Sequence, residues 1–537
     1  MKFLKKISIL FFLLVTVSIL PNGALGEKVA NSEENPVIGG TYRIPLEFNP
    51  KTLDPALSID AYAVTTIQQL FDGLVQFDNN LNIIPAIAKS WKISHDGLTY
   101  TFYLRKGVRF HNGREVTSKD FVYSFTRILN PDTKSSCSDF FTKILGAKEF
   151  VDKKTKEVRG LMPLDSHTLK IILSESYAPF ISILAMKGAK VIPGEEVEKS
   201  EVDFGKSLIG TGPFKFVSMK DGKEIILEAN PDYFEGRPYL DKIIFKIFHG
   251  SPREEIFRRF KDGEFENSPI PFEAVEQISK SKKYKFLQKP ILSLRFYGLN
   301  TQIEPLKIQK VRKAINFAIP KETIGKDILK GMALLTNRII PLGMPGYTPN
   351  KVGFGYQPQK LIELLRESGY PDGRGLPSIE FWSAANSELA VKELEMVKSY
   401  LSQIGITVNL QYETNWPKFQ ERLTLKKAPM FMYAWYADFP DPDNFLGTLF
   451  HSKSKYNYTS YHNPEVDRLL DKARIERDYL KRMEMYRKIE EIVLEDAPIV
   501  PMVNHLFQQA YQPYVRGVEV NALGGPYIPM KKIWLKK

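Results

Sequence analysis

The chain has 537 residues, of which 43% are hydrophobic and 26% charged, with 75 Lys+Arg against 62 Asp+Glu for a formal charge of +13. At roughly 150 residues per domain the length predicts about three domains, each able to bury a core, and the composition excludes a polytopic membrane protein, a collagen or a disordered chain. The single cysteine, Cys137, excludes an intramolecular disulfide and every cysteine-based zinc cluster.

The N-terminus reads as an export signal. Lys2, Lys5 and Lys6 precede an apolar run from Ile7 to Leu20, Pro21 ends it, and Ala24-Leu25-Gly26 supplies small residues two apart. A retained anchor is the alternative, but spanning a bilayer needs about 20 apolar residues. Cleavage after Gly26 removes three lysines, which lowers the charge from +13 to +10. No cysteine lies nearby to carry a lipid, so a periplasmic protein is predicted, with Glu27 to Gly40 a loose leader.

Beyond the leader, alternation and helical spacing follow one another. Ile59, Ala63, Ile67 and Leu70 predict one helix face, and Tyr100, Phe102 and Leu104 alternate with polar neighbours as a strand. Thr117-Ser118-Lys119-Asp120 reads as a capping box opening a helix that buries Phe121, Phe125 and Ile128. Further strands are expected at Thr168–Leu173, Glu224–Glu228 and Lys242–Phe248. Pro358 to Glu367 predicts a helix with Pro in its first turn. Ser378–Trp382, Glu388–Gln403 and Ile406–Gln411 predict a strand, a helix capped by Gly405 and a parallel strand. Strand Met430–Trp435, helices Pro464–Arg474 and Tyr479–Leu494 and the apolar segment Ile499–Val503 complete a mixed α/β chain without repeats.

Catalytic and metal signatures are absent. There is no His-Glu-x-x-His and no Gly-x-Ser-x-Gly, and the seven histidines form no pair with metal-ligand spacing. Gly205-Lys206-Ser207 imitates the end of a phosphate loop, but Ser200 stands where its first glycine is required. The sequon Asn457-Tyr458-Thr459 reads as a surface loop. One aromatic cluster is distinctive: strand residues Tyr433-Ala434-Trp435-Tyr436 run into Ala437-Asp438-Phe439-Pro440-Asp441-Pro442-Asp443-Asn444-Phe445. It predicts either an aromatic slot with a fixed negative pole, or a plain strand followed by a helix whose first turn carries Asp443 against the macrodipole.

That cluster, with six further blocks in order, gives a resemblance. Thr52-Leu53-Asp54-Pro55 precedes Gln69-Leu70-Phe71-Asp72-Gly73-Leu74. Ala88-Lys89-Ser90-Trp91 leads into the run from Asp96-Gly97-Leu98-Thr99-Tyr100 to Phe110-His111-Asn112-Gly113, and then to Val116-Thr117-Ser118-Lys119-Asp120-Phe121. Gly210-Thr211-Gly212-Pro213-Phe214, Asn230-Pro231-Asp232-Tyr233-Phe234 and Val311-Arg312-Lys313-Ala314-Ile315-Asn316-Phe317-Ala318-Ile319 follow. The mature chain resembles the family 5 extracellular solute-binding proteins, the oligopeptide- and dipeptide-binding receptors of ABC importers.

The resemblance implies an α/β periplasmic binding protein-like fold of two lobes joined by a hinge of two strands. It implies domain I from 27–74, 188–290 and 504–537, domain II as the insertion 75–187, and domain III as 291–503. It further implies a carrier that is not an enzyme and has no cofactor, bringing peptides to permease subunits in the inner membrane, monomeric and without a nucleic-acid partner. Asp438 matches the aspartate that takes a peptide's α-ammonium, and Trp435 matches an aromatic lining a side-chain pocket. Two departures stand out. Pro45 and Pro50 flank Leu46-Glu47-Phe48-Asn49, where peptide binders pair a strand with ligand backbone, and they lack the N–H this needs. No basic residue is assigned to a ligand carboxylate; Arg295, Arg312, Lys313 and Arg338 are candidates by charge alone. Relatives that carry nickel complexes, haem, sugars or opines keep a non-peptide ligand open, and a secreted hydrolase or a periplasmic chaperone or sensor remains the other class.

Overall fold

A computed structural model describes residues 35–199, 204–206, 208–250, 252–349 and 354–536. The expected signal segment 1–26 and most of the leader lie outside the described residues. The leader is also shorter than expected: Gly39 N donates to Tyr239 O at 2.7 Å and Gly40 N to Asp241 Oδ2 at 3.0 Å.

Three sheets carry the cores. In the first, Thr41–Leu46 runs parallel to Lys242–Ile247, followed by Glu224–Ala229 and Phe214–Lys220 antiparallel. Tyr42, Phe71, Phe214 and Phe245 pack on it together with Tyr511, Val515 and Ile533 from the C-terminal segment. The second is wholly antiparallel, in the order Ala88–Ile93, Thr99–Leu104, Thr168–Ile172, Leu161–Asp165. Its core is drawn almost entirely from residues 74–191, with Phe102, Phe121 and Phe180 at its centre. Thr99–Leu104 alternates between half-buried and buried positions as its sequence predicts. Helix Ser118–Leu129 opens with the reciprocal Thr117–Asp120 capping box.

The third sheet is the largest. Its path runs Asn267–Pro269, Ile499–Tyr511, Ser293–Leu299, Met430–Tyr436, Ile379–Ser383, Val408–Tyr412, and Lys285–Pro290 and Ala333–Leu335 also pair with the long strand. Both faces are covered. Leu294 and Phe296 join one core with Tyr486 and Ile489, while Tyr297 and Leu299 join another with Leu394 and Val397. A strand buried on both faces reads as a continuous apolar run rather than an alternation, and Met430–Tyr436 does so for that reason.

The expected strand, helix and parallel strand are present as Ile379–Ser383, Glu388–Ser402 and Val408–Tyr412. Gly405 stands two residues past the C-cap, Gln403, with φ +78°, and Ile406 N closes back to Leu401 O at 3.0 Å. Three expectations are corrected. Ile59 is 64% exposed, because Asp60 caps the helix and leaves it outside the first turn. Asn457 is buried in its loop, its amide donating to Tyr461 O at 2.8 Å, so the sequon is not a surface one. The segment Ile499–Val503 continues as one strand to Tyr511, its second half pairing with Lys285–Pro290, and this pairing overrides its mixed polarity.

Candidate functional site

Strand Met430–Tyr436 lies between Ser293–Leu299, antiparallel, and Ile379–Ser383, parallel. Pairing continues one residue further, where Ala437 N donates to Leu292 O at 2.8 Å. Pro440 and Pro442 then end the strand geometry, and Asp441 caps the short turn Pro442–Asn444 through Asp443 N. Helix Leu446–Phe450 follows.

The three carboxylates of this turn have different fates. Asp441 lies 2.7 Å from Arg482. Asp443 accepts from Arg474 Nε at 2.8 Å and from the Tyr177 hydroxyl at 2.8 Å. Asp438 has no cation within ion-pair distance among the described residues. Burial pushes its pKa above the ordinary carboxylate value, against the more distant positive charge of Lys187 and the amide of Asn444. As a residue Asp438 is half-buried. The alternative in which the acidic turn only caps a helix therefore fits Asp441 and Asp443, and leaves the Asp438 carboxylate without an ion-pair partner among the described residues.

One buried side chain positions both predicted residues. Asn444 Oδ1 accepts from the Trp435 indole at 3.2 Å and from Asp438 N at 3.0 Å. Trp435 begins a chain of rings. Its centroid is 5.2 Å from that of Tyr456, which leads through Tyr458 and Tyr433 to Trp416, itself 48% exposed. Such a wall presents apolar area with few rotatable bonds.

Residues from distant parts of the chain reach the same place. Lys187, Tyr456 and Tyr527 lie within electrostatic reach of Asp438, and so does buried Cys137. Sequence reasoning found none of these four as partners: nothing in the local pattern of Cys137, Lys187 or Tyr527 marks so long-range a contact, and Tyr456, though close in sequence, sits in a loop without a periodic signal. A cavity of about 790 Å³ opens beside them, lined by Tyr177, Phe439 and Tyr456; neither Asp438 nor Trp435 lines it. Among the described residues no group of His, Cys, Asp and Glu could hold a metal ion, and no helix is long and apolar enough to cross a membrane.

The four basic candidates are committed elsewhere. Arg295 grips Glu393 at 2.9 Å, Arg312 donates to the carbonyls of Leu306 and Asp496, Lys313 pairs with Glu495, and Arg338 pairs with fully buried Glu490. The segment after Leu46 is occupied too: Glu47 pairs with Arg253 at 2.9 Å, Asn49 bonds Asp221 at 2.7 Å, and Phe48 packs 5.5 Å from Tyr62.

Comparison with known proteins agrees with this architecture. A dipeptide-binding protein of Escherichia coli (strain K12) is 28% identical over 508 residues, covering 89% of this chain and 91% of the relative. Heme-binding protein A of Haemophilus influenzae is 28% identical over 518 residues, covering 92% and 91%. The Helicobacter pylori periplasmic binding protein DppA, solved in complex with peptide STSA, superposes with a TM-score of 0.78 at 28% identity over 93% of this chain and 99% of that one. The fold is therefore the two-lobe periplasmic binding fold expected from the sequence. The profile of the bacterial extracellular solute-binding proteins, family 5 (middle region), matches residues 82–457, well over half of the chain. The chain belongs to the family 5 extracellular solute-binding proteins.

Proposed function

We propose that this protein is an exported, periplasmic carrier that closes over a short peptide and presents it to an ABC importer without chemically altering it. The observation that carries this reading is Asp438: among the described residues it alone in its turn lacks a bonded cation, and it stands at a strand end beside an aromatic wall. A desolvated carboxylate suits an α-ammonium, because the charge-assisted hydrogen bond is short and strong. Relatives named for dipeptides and a relative solved with a peptide support the ligand class. Lys187, opposite in sign and near Asp438, is our candidate for a ligand carboxylate. We further propose domain II as 75–187, domain III as 291–503 and domain I as the remainder of the mature chain. The core drawn mainly from residues 74–191 supports the edges of domain II, and the two cores that, apart from Ala522, are drawn from residues 292–503 support those of domain III. The two crossing segments 285–299 and 499–511 would be the hinge. The protomer acts alone, with permease subunits as its macromolecular partner and no nucleic acid.

Calorimetry with free-amine and N-acetylated peptides tests it. Removing one partner of such a charge pair costs about 2–5 kcal/mol, so Asp438→Asn should weaken free-amine peptides roughly 30-fold or more. Acetylated peptides should bind wild type poorly, and the substitution should cost them far less. Ligand-free melting should stay near wild type, since Asp441 rather than Asp438 caps the turn. Equal affinity of wild type and variant removes Asp438 from the site. Because a haem-binding relative is equally similar, haem is the second ligand to titrate, and tight haem with no peptide binding would transfer the assignment.

A further inference from the structure

A second pocket, about 350 Å³, lies where residues 68–86 meet Lys190, Tyr233 and the C-terminal segment 519–532. Neither Asp438 nor Trp435 lines it; Tyr527, in its wall, also comes within electrostatic reach of Asp438.

Backbone pairing fixes its inner wall. Gly73 and Lys190 form an antiparallel bridge, and Val191 N donates to Asp72 O at 3.0 Å. The approach is close enough that a Cβ on Gly73 would stand 2.8 Å from Ala189 O. Lys190 is thereby pressed into the pocket wall and left only 6% exposed. Among the described residues its ammonium has neither a hydrogen bond nor an ion pair. Asp72 is nearby but turned to other donors, accepting from Thr211 Oγ1 at 3.1 Å and from the Tyr233 hydroxyl at 3.1 Å.

The neighbouring cations divide into satisfied and unsatisfied. Lys531 pairs with Glu235, and Lys532 with Glu519 at 2.7 Å. Arg105, also in the wall, donates its Nε to Ala86 O at 2.9 Å and stands 6.0 Å from the Phe234 ring, and its two terminal nitrogens make no hydrogen bond or ion pair among the described residues. Asp78 also lines the pocket, so four cations face four carboxylates, and what sets Lys190 and Arg105 apart is that the ammonium and the two terminal guanidinium nitrogens make no hydrogen bond or ion pair among the described residues. A buried, unpaired ammonium is costly, and burial draws the Lys190 pKa down to about 8 despite the attraction of Asp72.

We propose that this pocket binds a small oxyanion, a carboxylate or a phosphate, between Lys190 and the Arg105 guanidinium. Its volume is at the lower end for ligand pockets and suits a compact anion rather than a peptide.

Titration calorimetry on the full mature protein, with sodium phosphate and sodium citrate as probes and sodium chloride of equal ionic strength as reference, tests the assignment. Expected is saturable one-to-one binding of at least one probe, weakened at least tenfold by Lys190→Gln and by Arg105→Gln, and unchanged in Asp438→Asn. The stronger probe identifies the anion class. Absence of saturable heat beyond chloride in the wild type overturns the proposal. Binding that survives in both Lys190→Gln and Arg105→Gln overturns it as well, by placing the anion elsewhere. If Lys190→Gln does not fold, the wild-type titration and Arg105→Gln decide. Asp438→Asn keeps this outcome apart from any failure of peptide binding.

Discussion

Asp438, Asp441 and Asp443 lie within six residues of one another and carry the same group, yet only their partners distinguish them. Those partners, Arg474, Arg482 and Lys187, come from other segments, so composition and spacing could nominate the turn without ranking its carboxylates. The family motif did rank them, and it alone nominates Asp438 as the ligand contact that we propose. The basic residues show the opposite: charge made Arg295 and Arg338 candidates, and the structure gives both to buried glutamates. Histidines supply a test at this scale. His111 and His505 are half-buried, and desolvation draws each down from 6.5 to about 4. Unfolded, each takes up a proton near pH 6.5 that the native state refuses until about pH 4, so stability falls as pH drops through that window. The slope is about 1.4 kcal/mol per pH unit for each group. Urea unfolding at several pH values should show His505→Gln losing one such increment; an unchanged slope would mean His505 is protonated in the native protein.

Among elements, those with strong local signals were read correctly. Thr117 and Asp120 announce the start of their helix, and Pro358 that of another, because capping and proline geometry act within one turn. The long strand Ile499–Tyr511 was only half visible. Its second part, His505 to Gln509, is partly exposed and mixed in polarity, and it is held by pairing with segments more than two hundred residues earlier. Gly405 was visible as a helix terminator, but the tightness of its site was not. Its φ is +78°, and an added Cβ would stand 2.1 Å from Asp372 O. Left-handed strain alone costs about 1–3 kcal/mol, and the backbone clash adds to it. Gly405→Ala should therefore lower the melting temperature clearly more than Gly369→Ala, where the φ is +85° but a Cβ meets nothing within 4 Å. Equal losses at the two sites would show that the loop carrying Asp372 yields freely.

For the whole molecule, the contacts between the core of residues 74–191 and the aromatic turn matter most. Tyr177 donates to Asp443 across them, Ala178 N donates to Arg474 O at 2.8 Å, Phe140 meets Phe439 edge-on at 5.8 Å, and Lys455 pairs with Asp139. If the two lobes part when ligand leaves, these contacts are made only on closure and add to apparent affinity. A hydrogen bond to a charged group contributes about 1.5–3 kcal/mol, so Tyr177→Phe should raise the peptide Kd roughly tenfold or more. Small-angle scattering should show a larger ligand-free radius of gyration. An unchanged Kd would mean that Tyr177 and Asp443 stay together in both states. The bridge between Gly73 and Lys190 has a different consequence, for how such a chain could be assembled. It brings the entry and exit of a long, self-cored stretch to a single strand spacing, as if the stretch were hung on one peg. A polypeptide can acquire or shed such a stretch in one genetic event while the sheet around Thr41–Leu46 keeps its neighbours, because the two cut ends already face each other. Shortened chains in which a brief turn joins the positions of Gly73 and Lys190 are therefore the natural starting point for building a smaller carrier on the same frame.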